Sequence, residues 1–238
     1  MKEALRSMTE DMMAMIRRKD FAPFNLALSG GETAKHMFSL WVDEYKDKID
    51  WNNIRFFWVD ERCVPVKDSD SNYGTMLRLL LREVGMPDAN RLLFTPLRIQ
   101  ADHIHRIKGE NEPGTEAMRY SWVVKEFLPL FNQMPTFDCI ILGVGEDSHT
   151  ASIFPTTMEL LSDSRNYAVS QQPSTGQYRI TMTGPLILNG APLLVPILGT
   201  NKEPVIQRLS KGYSPSNDTP AAYILSHAVQ ATIYGLNP

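Results

Sequence analysis

Cysteine is scarce in this chain: two residues in 238, Cys63 and Cys139, each beside apolar neighbours. So few thiols exclude a disulfide-built scaffold, and free thiols in a reducing, cytoplasmic setting are the economical reading. An excess of charge of one sign is also lacking. The chain carries 24 Lys and Arg against 27 Asp and Glu, a net charge of −3, with no basic run or stripe. Nothing electrostatic therefore argues for nucleic acid as a partner. No apolar stretch reaches membrane-spanning length, since residues 186–198 are broken by Asn189, Gly190, Pro192 and Pro196. The opening MKEALRSMTEDMMAMIRRK has acidic residues throughout and no continuous apolar region, so it does not read as a secretory signal. Its Leu5, Met8, Met12 and Ile16 share one helical face and predict a surface helix, with Met8, Met12 and Met13 as packing residues.

Motifs for common cofactors and metals are missing as well. Gly143-Val144-Gly145 lacks the third glycine of a dinucleotide fingerprint, and no Gly-Lys-Ser/Thr follows Gly30 and Gly31 at the required spacing. Asp68, Asp70 and Asn72 imitate the opening of a calcium loop, but Gly74 stands one position late and Leu79 occupies the place of the bidentate Glu. A solvated turn capping the next helix is expected there. His103 and His105 have no further His or Cys at metal-ligand spacing and read as surface residues. His36 and His227, within or beside apolar segments, read as packed or capping histidines. The expected chemistry uses no metal and no cofactor.

What the chain does have is an alternation of strand and helix patterns from end to end. Strands are predicted at residues 24–28, 54–59, 91–94, 137–142, 167–170, 178–183, 193–198 and 231–234. Helices are predicted at 33–45, from about 76 to 81, and at 114–131, 201–209 and 221–226. Alternation of this kind predicts an α/β fold with a mostly parallel sheet covered on both faces. Without internal repeats or linkers, residues 1–238 read as a single domain.

Chemistry-bearing residues gather just beyond the strands. The run Cys139-Ile140-Ile141-Leu142 ends in Gly143-Val144-Gly145 and then in Asp147-Ser148-His149. Residues at a strand's carboxyl end face the crevice where α/β proteins bind ligands. Asp147 and His149 leave locally extended backbone on the same side, and a carboxylate beside an imidazole fixes its tautomer and keeps it a useful base. On residue types alone, an N-cap Asp and a loop His satisfying backbone groups reads equally well. Ser29-Gly30-Gly31-Glu32-Thr33 joins a strand to a helix, either as an anion-binding turn or as a tight turn capped by Thr33. Asp60-Glu61-Arg62 follows another strand. There Arg62 suits a phosphate, and the two acids suit sugar hydroxyls or the bracing of Arg62. Arg179 within a strand and Lys202 in a helix's first turn read equally as ligand-facing cations or as surface cations with buried stems.

These pieces, in this order, resemble the 6-phosphogluconolactonases, lactone hydrolases of the pentose phosphate pathway that share a fold with glucosamine-6-phosphate deaminases. LALSGGET (26–33), FFWVDERCVP (56–65) with DSNYG (70–74), HRIKGE (105–110) and LGVGEDSHTASIFP (142–155) carry the resemblance, with weaker support from YRITMT (178–183) and GTNK (199–202). Arg62 after Asp60-Glu61, and Thr150 to Pro155 after His149, resemble the lactonase branch rather than the deaminase branch. The resemblance implies a three-layer α/β/α, Rossmann-like fold of the deaminase type. It implies His149 as general base assisted by Asp147. Arg62, Arg179 and Lys202 become candidates for the substrate phosphate, and Gly30, Gly31 and Thr33 for the ligand-binding turn. Asp60 and Gly145 complete the set of candidate substrate-binding residues.

Two departures from the family pattern stand out. Ser148 replaces the usual glycine, which costs about 1–2 kcal/mol or moves the loop if that position needs φ > 0. Members generally begin with a strand where this chain begins with a helix, so one sheet edge is expected to be absent or covered differently. The expected reaction is attack of a water, deprotonated by neutral His149, on the lactone carbonyl, with the proton returned to the ring oxygen. Ser148 and Ser152 lie in no Gly-x-Ser-x-Gly elbow and are not expected to act as nucleophiles. The partner is then a small sugar-phosphate lactone, bound by a monomer or small homo-oligomer. The rival readings are a sugar-phosphate isomerase or amino-sugar deaminase on the same scaffold, and a non-catalytic sugar-phosphate sensing module.

Overall fold

The structure is a computed structural model that describes residues 1–20, 22–85, 99–199, 202–212, 214 and 217–235. The strand predicted at 91–94 lies outside the described residues. From the N-terminus run α1 (Lys2–Arg18), β1 (Phe24–Leu28), α2 (Gly31–Leu40), β2 (Ile54–Trp58), β3 (Asp60–Arg62), α3 (Asn72–Met76) and α4 (Pro113–Phe127). A hairpin follows, β4 (Leu130–Phe131) and β5 (Met134–Pro135), and then β6 (Cys139–Ile141), β7 (Tyr167–Gln171) and β8 (Tyr178–Met182). After these come α5 (Gly184–Ile187), β9 (Leu193–Ile197), α6 (Glu203–Leu209), α7 (Pro220–His227) and β10 (Ala231–Gly235).

Five strands form a wholly parallel central sheet in the order β10-β9-β6-β1-β2, flanked by helices in the three-layer α/β/α arrangement. Every residue of β1, β6 and β9 is buried, which is why these strands read as continuous apolar runs rather than alternating ones. The apolar face of α1 is as predicted, with Leu5, Met8, Met12, Met13 and Ile16 buried. Leu28 pairs with Trp58 on one side and Ile141 on the other, so the carboxyl ends of three strands meet at one edge. Because β1 has β2 on one flank and β6 on the other, the connections after β1 and β6 part at this point. That is where open α/β sheets place their ligands.

A second sheet departs from the expectation. Asp60-Glu61-Arg62, expected only as charges beyond the end of a strand, is itself a strand, and β3-β8-β7 form a separate antiparallel sheet. The chain passes from the central sheet to this one at Val59, whose N–H donates to Leu28 and whose carbonyl accepts from Met182. Two buried tyrosines fix the junction. The Tyr120 hydroxyl accepts from the Trp58 N–H (3.0 Å) and donates to the His105 carbonyl (2.7 Å), while the Tyr167 hydroxyl donates to the Trp58 carbonyl (2.8 Å).

Local differences have local causes. The helix predicted to run to residue 131 stops at Phe127, since Pro129 disfavours helical backbone before it. Leu130 and Phe131 instead enter a hairpin whose Asn132 and Gln133 both take positive φ (50° and 64°), as tight hairpin turns require. His103 and His105 are not surface residues. His103 is buried, and His105 lies between the rings of Phe57 (4.7 Å) and Phe127 (4.0 Å), where burial pushes its pKa down to about 4. Among the described residues, no helix is long and apolar enough to cross a membrane.

Candidate active site

The turn after β6 closes on itself. The Gly145 carbonyl accepts from Ser148 N–H (3.0 Å), and Gly145 N–H donates to the His149 carbonyl (2.8 Å). The Thr150 hydroxyl donates to the Gly143 carbonyl (2.9 Å). Within this loop Asp147 Oδ1 accepts from the His149 backbone N–H (3.1 Å) and pairs with His149 Nδ1. A carboxylate acceptor at Nδ1 puts the proton of the neutral ring there and leaves Nε2 with its lone pair, the tautomer a base needs. Burial pushes the Asp147 carboxyl up, but the hydrogen bond and charge of His149 outweigh it and hold the group below its ordinary value. Phe154 supports the imidazole at 4.9 Å. A Cβ on Gly145 would stand 2.1 Å from the imidazole and 2.8 Å from Asp147 Oδ1, so only glycine leaves room for the pair. Ser148 does take the left-handed conformation, with φ 65°, so the loop keeps its path and serine bears the cost.

The turn after β1 is tied to this one by Ser29, whose hydroxyl accepts from Gly143 N–H (3.0 Å). Gly31 has φ +83°, and a Cβ on Gly30 would overlap the Asn72 side chain at 1.8 Å. The first turn of α2 has Gly30 as its N-cap and no side-chain cap, so Thr33 does not serve as one. Gly30, Gly31 and Thr33 therefore present an uncapped helix start to the crevice, which suits an anion.

Cations come from the second sheet. Arg62 and Arg179 stand directly opposite each other across β3 and β8. Like charges so placed repel, and both Nε atoms are buried without a hydrogen-bond partner. Burial and then the charge of Arg62 hold the Arg179 pKa below its ordinary value. Asp60 offsets part of this charge from 3.9 Å, while its Oδ2 also accepts from the Ser152 hydroxyl (2.7 Å). Glu61 does not reach the crevice. Its carboxylate accepts from the N–H groups of Arg62, Asn72 and Tyr73 and from Ser71 Oγ, anchoring the loop before α3. Burial raises Glu61 to about 7, against the pull of those N–H groups. Lys202, the residue before α6, donates from Nζ to the Val144 carbonyl (3.0 Å).

One cavity of about 420 Å³ gathers these groups: Gly30, Gly31, Thr33, Asp60, Arg62, Gly145, His149, Arg179 and Lys202 all line it. Asp147 stands behind His149 and does not. Ser148 and Ser152 are fully buried, consistent with neither being a nucleophile. His36, read as packed or capping, is instead exposed on α2 at the cavity. His227 packs on its own helix, with Nδ1 2.8 Å from the Tyr223 carbonyl one turn back and its ring stacked on that of Tyr223 at 4.1 Å. Sequence reasoning missed Ser29 and Asn72. Their signal lay in adjacency to the glycine turn and in the DSNYG stretch.

Comparisons with known proteins place the chain in a family. A 6-phosphogluconolactonase of Treponema pallidum (strain Nichols) is 39% identical over 181 residues, 76% of this chain and 70% of the relative. The 6-phosphogluconolactonase of Haemophilus influenzae (strain ATCC 51907 / DSM 11121 / KW20 / Rd) is 36% identical over 204 residues, 85% of this chain and 80% of its own. The crystal structure of devB protein superposes with a TM-score of 0.84 at 34% identity, covering 98% of this chain and 92% of that one. Residues 1–234 match the family described as glucosamine-6-phosphate isomerases/6-phosphogluconolactonase, and the chain belongs to that family.

Proposed function

We propose that this protein hydrolyses 6-phospho-D-glucono-1,5-lactone to 6-phosphogluconate in the oxidative pentose phosphate pathway. The observation that carries the reading is the shared cavity. An imidazole whose Nδ1 is held by a carboxylate lines the same crevice as two guanidinium groups, an ammonium and an uncapped helix start. His149 Nε2 takes a proton from water as the water oxygen attacks C1 of the lactone. The imidazolium, steadied by Asp147, then gives that proton to the ring oxygen as the C1–O bond breaks. This acid–base transfer supplies about 10²–10⁴-fold in rate. The phosphate lies with Arg62, Arg179, Lys202 and the Gly30–Gly31–Thr33 turn, and this remote binding fixes C1 against the base. Asp60 holds Arg179 in place, and Gly145 leaves space for the base.

The proposal takes residues 1–238 as one lactonase domain working in the cytoplasm, as a monomer or small homo-oligomer, with a sugar-phosphate lactone as its partner. The test compares lactone opening by the wild type and by His149→Asn with the spontaneous reaction. The expected result is wild-type turnover far above background and a loss of about 10²–10⁴-fold in kcat for the variant. Ammonia release from glucosamine 6-phosphate without lactone hydrolysis would instead assign the deaminase activity.

A further inference from the structure

Ser148 has a fully buried side chain and a left-handed backbone, a combination that needs outside support. Two helices supply it. The Arg208 guanidinium, from the last turn of α6, donates from Nη1 to Ser148 Oγ (2.7 Å). The Ala221 N–H, from the first turn of α7, donates to the Ser148 carbonyl (3.0 Å). Arg208 is itself tethered, since its carbonyl accepts from Asn217 Nδ2 (2.9 Å), and the same amide reaches the Gly212 carbonyl (2.6 Å). At its other end α6 begins just after Lys202, whose ammonium grips the Val144 carbonyl of the same catalytic turn. The helix thus holds that turn at two points, one beside the proposed phosphate site and one between Asp147 and His149.

We propose that Arg208 is a positioning residue for the base: its bond to Ser148 Oγ holds the turn in the left-handed conformation that sets His149 against Asp147. The inference rests on the lactonase reading for its assay. Serine at this position resists φ > 0, and its buried hydroxyl loses its partner if Arg208 is removed. Glycine adopts the conformation unaided and has no hydroxyl to satisfy. The arginine is therefore required only while Ser148 is present.

A double-mutant cycle reads this directly. In the wild-type background, Arg208→Met is expected to lower kcat about tenfold, or about 1.4 kcal/mol, with the KM for the lactone within twofold. In the Ser148→Gly background the same substitution is expected to change kcat by less than about threefold. Ser148→Ala, which loses the hydroxyl but keeps the resistance to φ > 0, should match Arg208→Met, whereas Ser148→Gly should stay near wild type. If Arg208→Met does not fold by circular dichroism, the Ala-against-Gly contrast at 148 carries the test without touching α6. Equal losses from Arg208→Met in both backgrounds, a change confined to KM, or no difference between Ala and Gly at 148 would overturn the inference. A wild type that opens the lactone no faster than buffer would sink the functional reading instead.

Discussion

The two sheets contribute opposite things to the cavity. The central parallel sheet gives almost no side chains from its strands: β1, β6 and β9 are buried and, Asn25 apart, apolar, and their share of the site sits on the turns after them. The antiparallel sheet carries its charges on the strands themselves, with Asp60 and Arg62 on β3 facing Thr181 and Arg179 on β8. A turn can be shaped by glycine and backbone hydrogen bonds at little cost. The backbone of a strand residue cannot move away from its neighbour across the sheet, so Arg62 and Arg179 keep a repulsion that an anion bound as proposed would relieve. In the proposed reaction, one sheet provides precision for the base and the other a positive field for the ligand.

That division can be broken on either side. The largest effect is expected from Gly145→Ala, on the central-sheet turn. The added Cβ displaces the imidazole, and a displacement of that size costs about 10²-fold in kcat with KM nearly unchanged. Steady-state kinetics on the lactone would show whether the loss falls in kcat. On the antiparallel sheet, Arg179→Met should show the reverse pattern. Loss of a charge-assisted contact of about 1.5–3 kcal/mol raises KM roughly 10–100-fold, with a smaller change in kcat. Equal changes in kcat for both variants would erase the distinction between the sheets.

The smallest effect concerns the anchor beneath the cations. Glu61→Gln places an NH₂ group against N–H donors and should destabilise the fold by about 1–3 kcal/mol in urea, with kcat little changed. Its pH dependence has a definite sign. The folded-state pKa of Glu61, about 7, lies above the ordinary 4.5, so its contribution is full below about pH 4.5 and falls as pH rises through about 7. The stability advantage of wild type over Glu61→Gln is therefore expected to be larger at pH 5 than at pH 8.

Much of the central sheet was legible in the sequence because its information is local. Buried parallel strands are unbroken apolar runs, and an imidazole with a carboxylate two positions away is visible as a motif. The second sheet was legible only in part: residues 167–170 and 178–183 read as strands, but their separation from the parallel sheet and their partner β3 did not. Asp60-Glu61-Arg62 carries the composition of a loop, and only pairing with a strand more than a hundred residues later makes it β-structure. His105 was misread for a similar reason: its ring partners, Phe57 and Phe127, are distant in the chain. The cost at Ser148 could be anticipated from the family pattern, which has glycine there. Its remedy, an arginine 60 positions on, could not.

The crossing at Val59 has a consequence for selectivity. A single residue of backbone separates β2, at the edge of the central sheet, from the strand bearing Arg62, and the tyrosine hydroxyls tie the backbone of Trp58 at that junction. The placing of imidazole and guanidinium is thus set by two strand pairings, β6 on β1 and β1 on β2, and by that one residue, as on a frame with few joints. If the phosphate binds as proposed, sugar phosphates one carbon shorter or longer are expected to be opened more slowly, their ester carbon being out of register with His149.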